Sequence, residues 1–246
     1  MLDAAFQHLR GTGNVGDDAC CPAAYFDFGK TVVQGYGQPM PPARLAIFGG
    51  GQTFRQAAQG VILDSPAARH RVVWGVGITA RQARSFDFDL MRGSAALVGS
   101  RVKDTPGCDF VPCVSAMSPR LDTPSPARVP VVLFWHAGKS DALARPAHVP
   151  ARSNQGVTLA QAIEFLAMGE TVVTNSYHGT FWAMCLGRKV LCLPFSDKFD
   201  GFLDAPATAA PGDWPDHLHR ARRHGETLDH ARAANWGFHE RVMNLA

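Results

Sequence analysis

The chain has 246 residues, 46% of them hydrophobic and 18% charged, with a formal net charge of +3. This is an ordinary globular composition, with room for one large domain or two smaller ones. The charge is too small to mark a nucleic-acid-binding protein, no window approaches 18 consecutive apolar residues, and the opening MLDAAFQHLRGTGNVGDD lacks the basic-then-apolar order of a secretion signal.

Along the chain, the glycine-rich loop Gly11-Thr12-Gly13-Asn14-Val15-Gly16-Asp17-Asp18 comes almost first, and a helix is expected from Asp18 to about Phe28. Ala43 to Phe48 reads as a strand ending in Gly49-Gly50-Gly51, and residues 53–63 read as helix. Arg71 to Val76 is a second strand, ending at Gly77; Ala95 to Val98 is a third, ending at Gly99-Ser100-Arg101; Asp109 to Val114 is a fourth. SPRLDTPSPARVP, from Ser118 to Pro130, is rich in proline and serine and reads as a linker between domains 1–124 and 125–246.

After it the alternation restarts. Val131 to Trp135 is a strand, 139–156 a polar loop, and Thr158 caps an amphipathic helix, Leu159 to Met168. Thr171 to Thr174 is a short β-branched strand, and Asn175 and Ser176 are suited to cap the next helix. That helix carries Phe181, Trp182, Met184, Cys185 and Leu186, apolar nearly all round as a buried crossover helix should be, and leads into the strand Val190 to Leu193. The tail from Trp214 reads as helical. Strands alternating with helices in both halves predict an α/β protein of two Rossmann-like domains with parallel sheets, facing across a cleft. Ligands in such sheets sit at the carboxyl ends of strands. His178 lies at one such end, on a helix N-terminus, and Lys198 at the next; together they predict an anion site.

The six cysteines, Cys20, Cys21, Cys108, Cys113, Cys185 and Cys192, form no CxxC pair. They are expected to be reduced, buried thiols of a cytoplasmic protein, with no zinc set. Three other motifs fail. Gly49-Gly50-Gly51-Gln52-Thr53-Phe54 lacks the third glycine of a dinucleotide fingerprint, Gly138-Lys139-Ser140 has Leu133 where a phosphate loop needs its first glycine, and Ser176-Tyr177-His178 lacks the glycines of a nucleophile elbow.

The remaining motifs, Asn14-Val15-Gly16-Asp17, Ile47-Phe48-Gly49-Gly50-Gly51, Trp74-Gly75-Val76-Gly77, Ser100-Arg101, Thr174-Asn175-Ser176-Tyr177-His178-Gly179 and Ser196-Asp197-Lys198-Phe199, resemble in order those of the polysaccharide pyruvyl transferase family. The chain departs from that pattern at Val102, in place of an acid, and at Cys113, in place of an aspartate; Met1 to Leu9 is too brief and too polar for the strand expected before the first loop. The resemblance implies a GT-B-like fold and transfer of the pyruvyl group of phosphoenolpyruvate to a sugar, giving a ketal on an exopolysaccharide precursor. The implied catalytic acid/base is His178. Arg101, His178, Lys198, Ser176 and Gly179 would hold the phosphoenolpyruvate, and Asn14, Asp17, Gly50 and Gly51 the acceptor sugar. His136 could also reach the donor. No cofactor or metal is implied. The partners would be phosphoenolpyruvate and a lipid-linked or nucleotide-linked glycan, with peripheral association at a membrane-bound precursor and no nucleic acid. Two rival readings are a GT-B glycosyltransferase using a sugar nucleotide and a catalytically silent relative that binds saccharide or partner proteins.

Overall fold

A computed structural model describes residues 1–62 and 68–245. The chain divides into two compact units. Unit 1 comprises Met1–Thr12, Asp17–Met117 and Ala231–Ala246; unit 2 comprises Gly13–Gly16 and Ser118–His230. Both are α/β, each built on one parallel sheet.

The sheet of unit 1 has six strands: β1 (Leu2–His8), β2 (Thr31–Gly35), β3 (Ala43–Gly49), β4 (Ala68–Val76), β5 (Leu97–Ser100) and β6 (Asp109–Phe110). Their spatial order is β2-β1-β3-β4-β5-β6. The connections carry α1 (Val15–Asp18), α2 (Phe54–Ile62), α3 (Ala80–Ala83) and α4 (Phe88–Ser94). Leu63, the last residue of the helix expected over 53–63, lies outside the described residues.

Two local expectations fail for physical reasons. The opening residues are a true strand: β1 pairs with both β2 and β3, and Ala4, Ala5 and Phe6 are fully buried. Its polar Gln7 is tolerated because the side-chain amide donates to Gln38 O at 2.8 Å. No helix spans Asp18 to Phe28. A short 3₁₀ turn at Pro22–Ala24 replaces it, and Phe26 and Phe28 turn into the core, with the Phe28 ring centroid 5.0 Å from that of Phe6.

The sheet of unit 2 has β7 (Val129–Trp135), β8 (Ala151–Ser153), β9 (Gly169–Thr174), β10 (Lys189–Cys192) and β11 (Ala207–Thr208), in the order β11-β10-β9-β7-β8. Helix α5 (Leu159–Met168) precedes β9 and starts with a capping box between Thr158 and Gln161. Helix α6 (Tyr177–Cys185) joins β9 to β10 and is buried at every position. The tail holds a 3₁₀ segment, Trp214–Arg220, and helix α7 (Thr227–Met243). From Ala231 onward α7 belongs to unit 1, where Phe238 and Val242 join the core of Phe6, Phe28 and Trp74.

Numbered within its own unit, the second sheet runs 2-1-3-4-5, the same sequence with which the first begins. In this doubly wound order successive crossovers leave the first strand in opposite directions. A crevice opens where they part, outside the carboxyl ends of the first and third strands. Those switch points lie between β1 and β3 in unit 1 and between β7 and β9 in unit 2.

Candidate functional site

In unit 2 the switch point is wired by two buried asparagines. Asn175, directly after β9, accepts from His136 N at 2.7 Å and donates through Nδ2 to Lys139 O at 2.7 Å and Ser140 Oγ at 3.0 Å. Asn154, directly after β8, accepts from Ala137 N at 3.0 Å and donates to Asn14 Oδ1 at 2.9 Å. The loop 13–16 is laid along the same edge: Val15 N donates to Asn154 O at 3.0 Å and Gly156 N to Gly13 O at 3.3 Å. The strand ends thus hold one another through side-chain amides, each using both donor and acceptor.

Next comes the start of α6. Ser176 is its N-cap and accepts from Gly179 N at 3.3 Å. Two residues in, His178 is 4% exposed, with ring centroids 5.4 Å from both Tyr177 and Trp182. A Cβ built on Gly16 would stand 2.0 Å from His178 Nδ1, so the absent side chain makes room for the imidazole. Gly179 is a packing glycine: a Cβ there would lie 2.5 Å from Thr174 Oγ1 and 2.6 Å from Phe134 Cδ1. Lys198 follows β10, with Nζ 4.2 Å from the Phe195 ring centroid and 5.1 Å from that of Phe199. Burial pushes the neighbouring Cys192 thiol up to about 12; a hydrogen bond from Thr180 and the Lys198 charge oppose the rise.

Unit 1 gathers a second set at its strand ends. Gly50 and Gly51 turn the chain after β3 with φ of 89° and 63°, where a Cβ is strained. They also admit neighbours: a Cβ on Gly50 would lie 2.7 Å from His8 Nδ1, and one on Gly51 2.7 Å from Asp17 Oδ1. Arg101, after β5, is 4% exposed, and a Cβ on Gly77 would lie 2.6 Å from its Nε. His8, at the end of β1, is pushed down to about 4, chiefly by burial and then by the Arg10 charge. It lines a cavity of about 430 Å³ together with Arg10, Gly11, Asp18, Cys21 and Val33.

Of the residues expected at a site, Asn14, Ser176, His178, Gly179 and Lys198 stand in unit 2, and Asp17, Gly50, Gly51 and Arg101 in unit 1. His8, Asn154 and the clearance at Gly16 escaped the sequence reading. For Asn154 a signal existed: Ala151-Arg152-Ser153 followed by Asn154-Gln155-Gly156 reads as a short strand into a turn.

No family model matches the chain, and no curated protein matches it. Among solved structures the chain is similar to one assigned as a UDP-N-acetylglucosamine 2-epimerase from Listeria monocytogenes, with a TM-score of 0.50 and 10% identity, covering 80% of this chain and 81% of that one. At that identity the likeness concerns the fold alone, an α/β fold with two parallel sheets.

The resemblance to the polysaccharide pyruvyl transferases is thereby corrected: no family model supports it, and the fold neighbour is assigned to a different family. The expected pyruvyl transferase activity falls with it. The physical reason lies in where the motifs stand. The glycines after β3 and β4, Ser100-Arg101 after β5 and Asn175-Ser176 after β9 all occupy carboxyl ends of parallel strands. A tight strand-to-helix turn needs glycine or a small capping residue there whatever the ligand. Their order therefore reports the fold and not the reaction. Among the described residues no helix is long and apolar enough to cross a membrane.

Proposed function

We propose that the protein is an enzyme that binds and processes a nucleoside-diphosphate sugar, with the diphosphate seated at the switch point of unit 2. One observation carries the reading: His136, Asn154, Asn175, Ser176 and His178 converge on adjoining strand ends, beside the positive end of α6. A diphosphate asks for hydrogen-bond donors and positive charge fixed in place before it arrives. Helix α6 offers its dipole and first-turn amides, His178 an imidazole, and Lys198 a compact charge after the next strand. The fold neighbour supports the substrate class, since the protein it represents is assigned to a UDP-sugar.

Calorimetric titration of the whole protein with UDP and UDP-N-acetylglucosamine tests this, with proton NMR of the nucleotide sugar following turnover. Saturable binding is expected, weakened about tenfold by His178→Ala, the loss of roughly one charge-assisted hydrogen bond. Absence of binding at millimolar nucleotide sugar, or undiminished affinity in a folded His178→Ala variant, overturns the proposal.

A further inference from the structure

Cys20 and Cys113 are 93 residues apart in the chain, yet in unit 1 their Sγ atoms stand 3.3 Å from each other. Both are buried, at 4% and 2% exposure, and neither is in a disulfide. Sγ of Cys113 also lies 3.1 Å from Ser115 Oγ. A disulfide needs its sulfurs about 2.05 Å apart, so a little over an ångström of side-chain movement separates the present contact from a bond. Two of the other four cysteines serve as internal controls: Cys21 adjoins Cys20, and Cys108 lies five residues before Cys113.

We propose that Cys20 and Cys113 form a specific oxidation site, which hydrogen peroxide converts into an intramolecular disulfide. In the first step the thiolate of one cysteine attacks a peroxide oxygen. The O–O bond breaks, the departing hydroxide takes up the proton that the thiol released, and a sulfenic acid and one water result. The second cysteine then attacks the sulfenic sulfur; the S–S bond forms, and the hydroxyl leaves with the second thiol proton as another water. The two thiols together lose two protons and two electrons, and the peroxide is reduced to two waters.

The hydrogen bond with Cys113, and after it burial, raises the Cys20 thiol well above its ordinary value. Cys20 is therefore protonated near neutrality, and its reaction accelerates as the pH rises. The consequence reaches unit 1's strand ends. Cys20 N donates to Asp17 O at 3.3 Å, and Asp17 lies against Gly51. A bridge would tie the Asp17 turn to the segment that follows β6 and draw Cys113 away from Ser115.

The test is to treat the full chain with hydrogen peroxide at mildly alkaline pH, alkylate it in denaturant and weigh it. The product should be lighter than the reduced protein by two hydrogens before alkylation, and should take up four alkyl groups in place of six. Fragmentation of the linked peptides from the unmodified sequence should join Cys20 to Cys113, and dithiothreitol should restore all six thiols. Cys21→Ser and Cys108→Ser should keep the bridge, and Cys113→Ser should lose it. Six alkylated thiols after oxidation, a linkage through Cys21 or Cys108, or oxidation that ends at a sulfinic acid without a bridge would each overturn the proposal.

Discussion

Gly16 lies against the imidazole of His178 so closely that a methyl group on it would stand 2.0 Å from Nδ1. The backbone of Gly16 is not in the left-handed region, so its conformation alone would accept alanine. What excludes a side chain is the ring. The contact fixes where the imidazole can stand, and it joins a loop near the start of the chain to the helix that follows β9.

Gly16→Ala should therefore displace His178 or push loop 13–16 off the strand ends, at about 1–3 kcal/mol of overpacking. Urea denaturation reads the stability. Removing the ring should relieve the clash, so the double variant Gly16→Ala/His178→Ala should lose less than the two single variants together. Strict additivity would show that the two residues do not restrain each other.

Asn175 is 2% exposed and makes hydrogen bonds to His136 N, Lys139 O and Ser140 Oγ. Asn175→Ala leaves those groups to find other partners in a buried place, with an expected loss of about 2–4 kcal/mol. Asn175→Asp keeps the acceptor for His136 N but turns the donor toward Lys139 O into a second acceptor. Its stability should fall further as pH rises and its carboxyl ionises, a slope the unmodified protein lacks at that position. Equal stability of the aspartate variant at pH 4 and pH 7, relative to the unmodified chain, would refute the assigned geometry.

The unit from β9 to β10 was legible because its signals are local. Thr171 to Thr174 is β-branched, Ser176 caps, and α6 is apolar nearly all round and buried at every position. β1 was illegible for the opposite reason. Ala4 and Ala5 are small, and Gln7 is polar, so the segment shows no hydrophobic run; its burial follows from β3 on one side and from Gln38, 31 residues away. Asn154 is harder still, since its partner Asn14 is 140 residues distant and nothing near either residue announces the pair. The glycine and cap motifs misled about chemistry because the parallel fold itself demands them at strand ends. His178 was legible only as a position, in the first turn of the helix that follows β9.

The last helix of unit 1 is pinned by Asn235. Its Oδ1 accepts from Trp74 Nε1 at 3.0 Å, and its Nδ2 donates to Pro112 O at 3.0 Å and Ala231 O at 2.8 Å. Phe238, one turn on, packs edge-on against Trp74 with centroids 4.9 Å apart. Phe238→Ala should cost about 3–5 kcal/mol through lost burial and the cavity left behind. The emission of the tryptophans should shift to the red as Trp74 gains solvent. A loss below about 1 kcal/mol would mean the helix contributes little to this core.

His8 gives unit 1 a defined acid sensitivity. The folded protein holds the imidazole neutral down to about 4, whereas in the unfolded chain it takes up a proton near its ordinary value of 6.5. Between those limits the unfolded state binds more protons, so stability rises with pH across the window and is lost as pH falls from 6.5 toward 4. The largest contribution of this residue is about 3.5 kcal/mol, from the shift between 6.5 and about 4 multiplied by about 1.4 kcal/mol per unit. His224 and His239 are also depressed, mainly by burial, and act in the same direction. His8→Phe keeps a ring of similar size that cannot titrate. Chemical denaturation at a series of pH values should then show a shallower acid slope for the variant, by up to about 3 kcal/mol between pH 7 and pH 4. Parallel slopes for the two proteins would show that His8 is already charged in the folded state, against its burial beside Gly50.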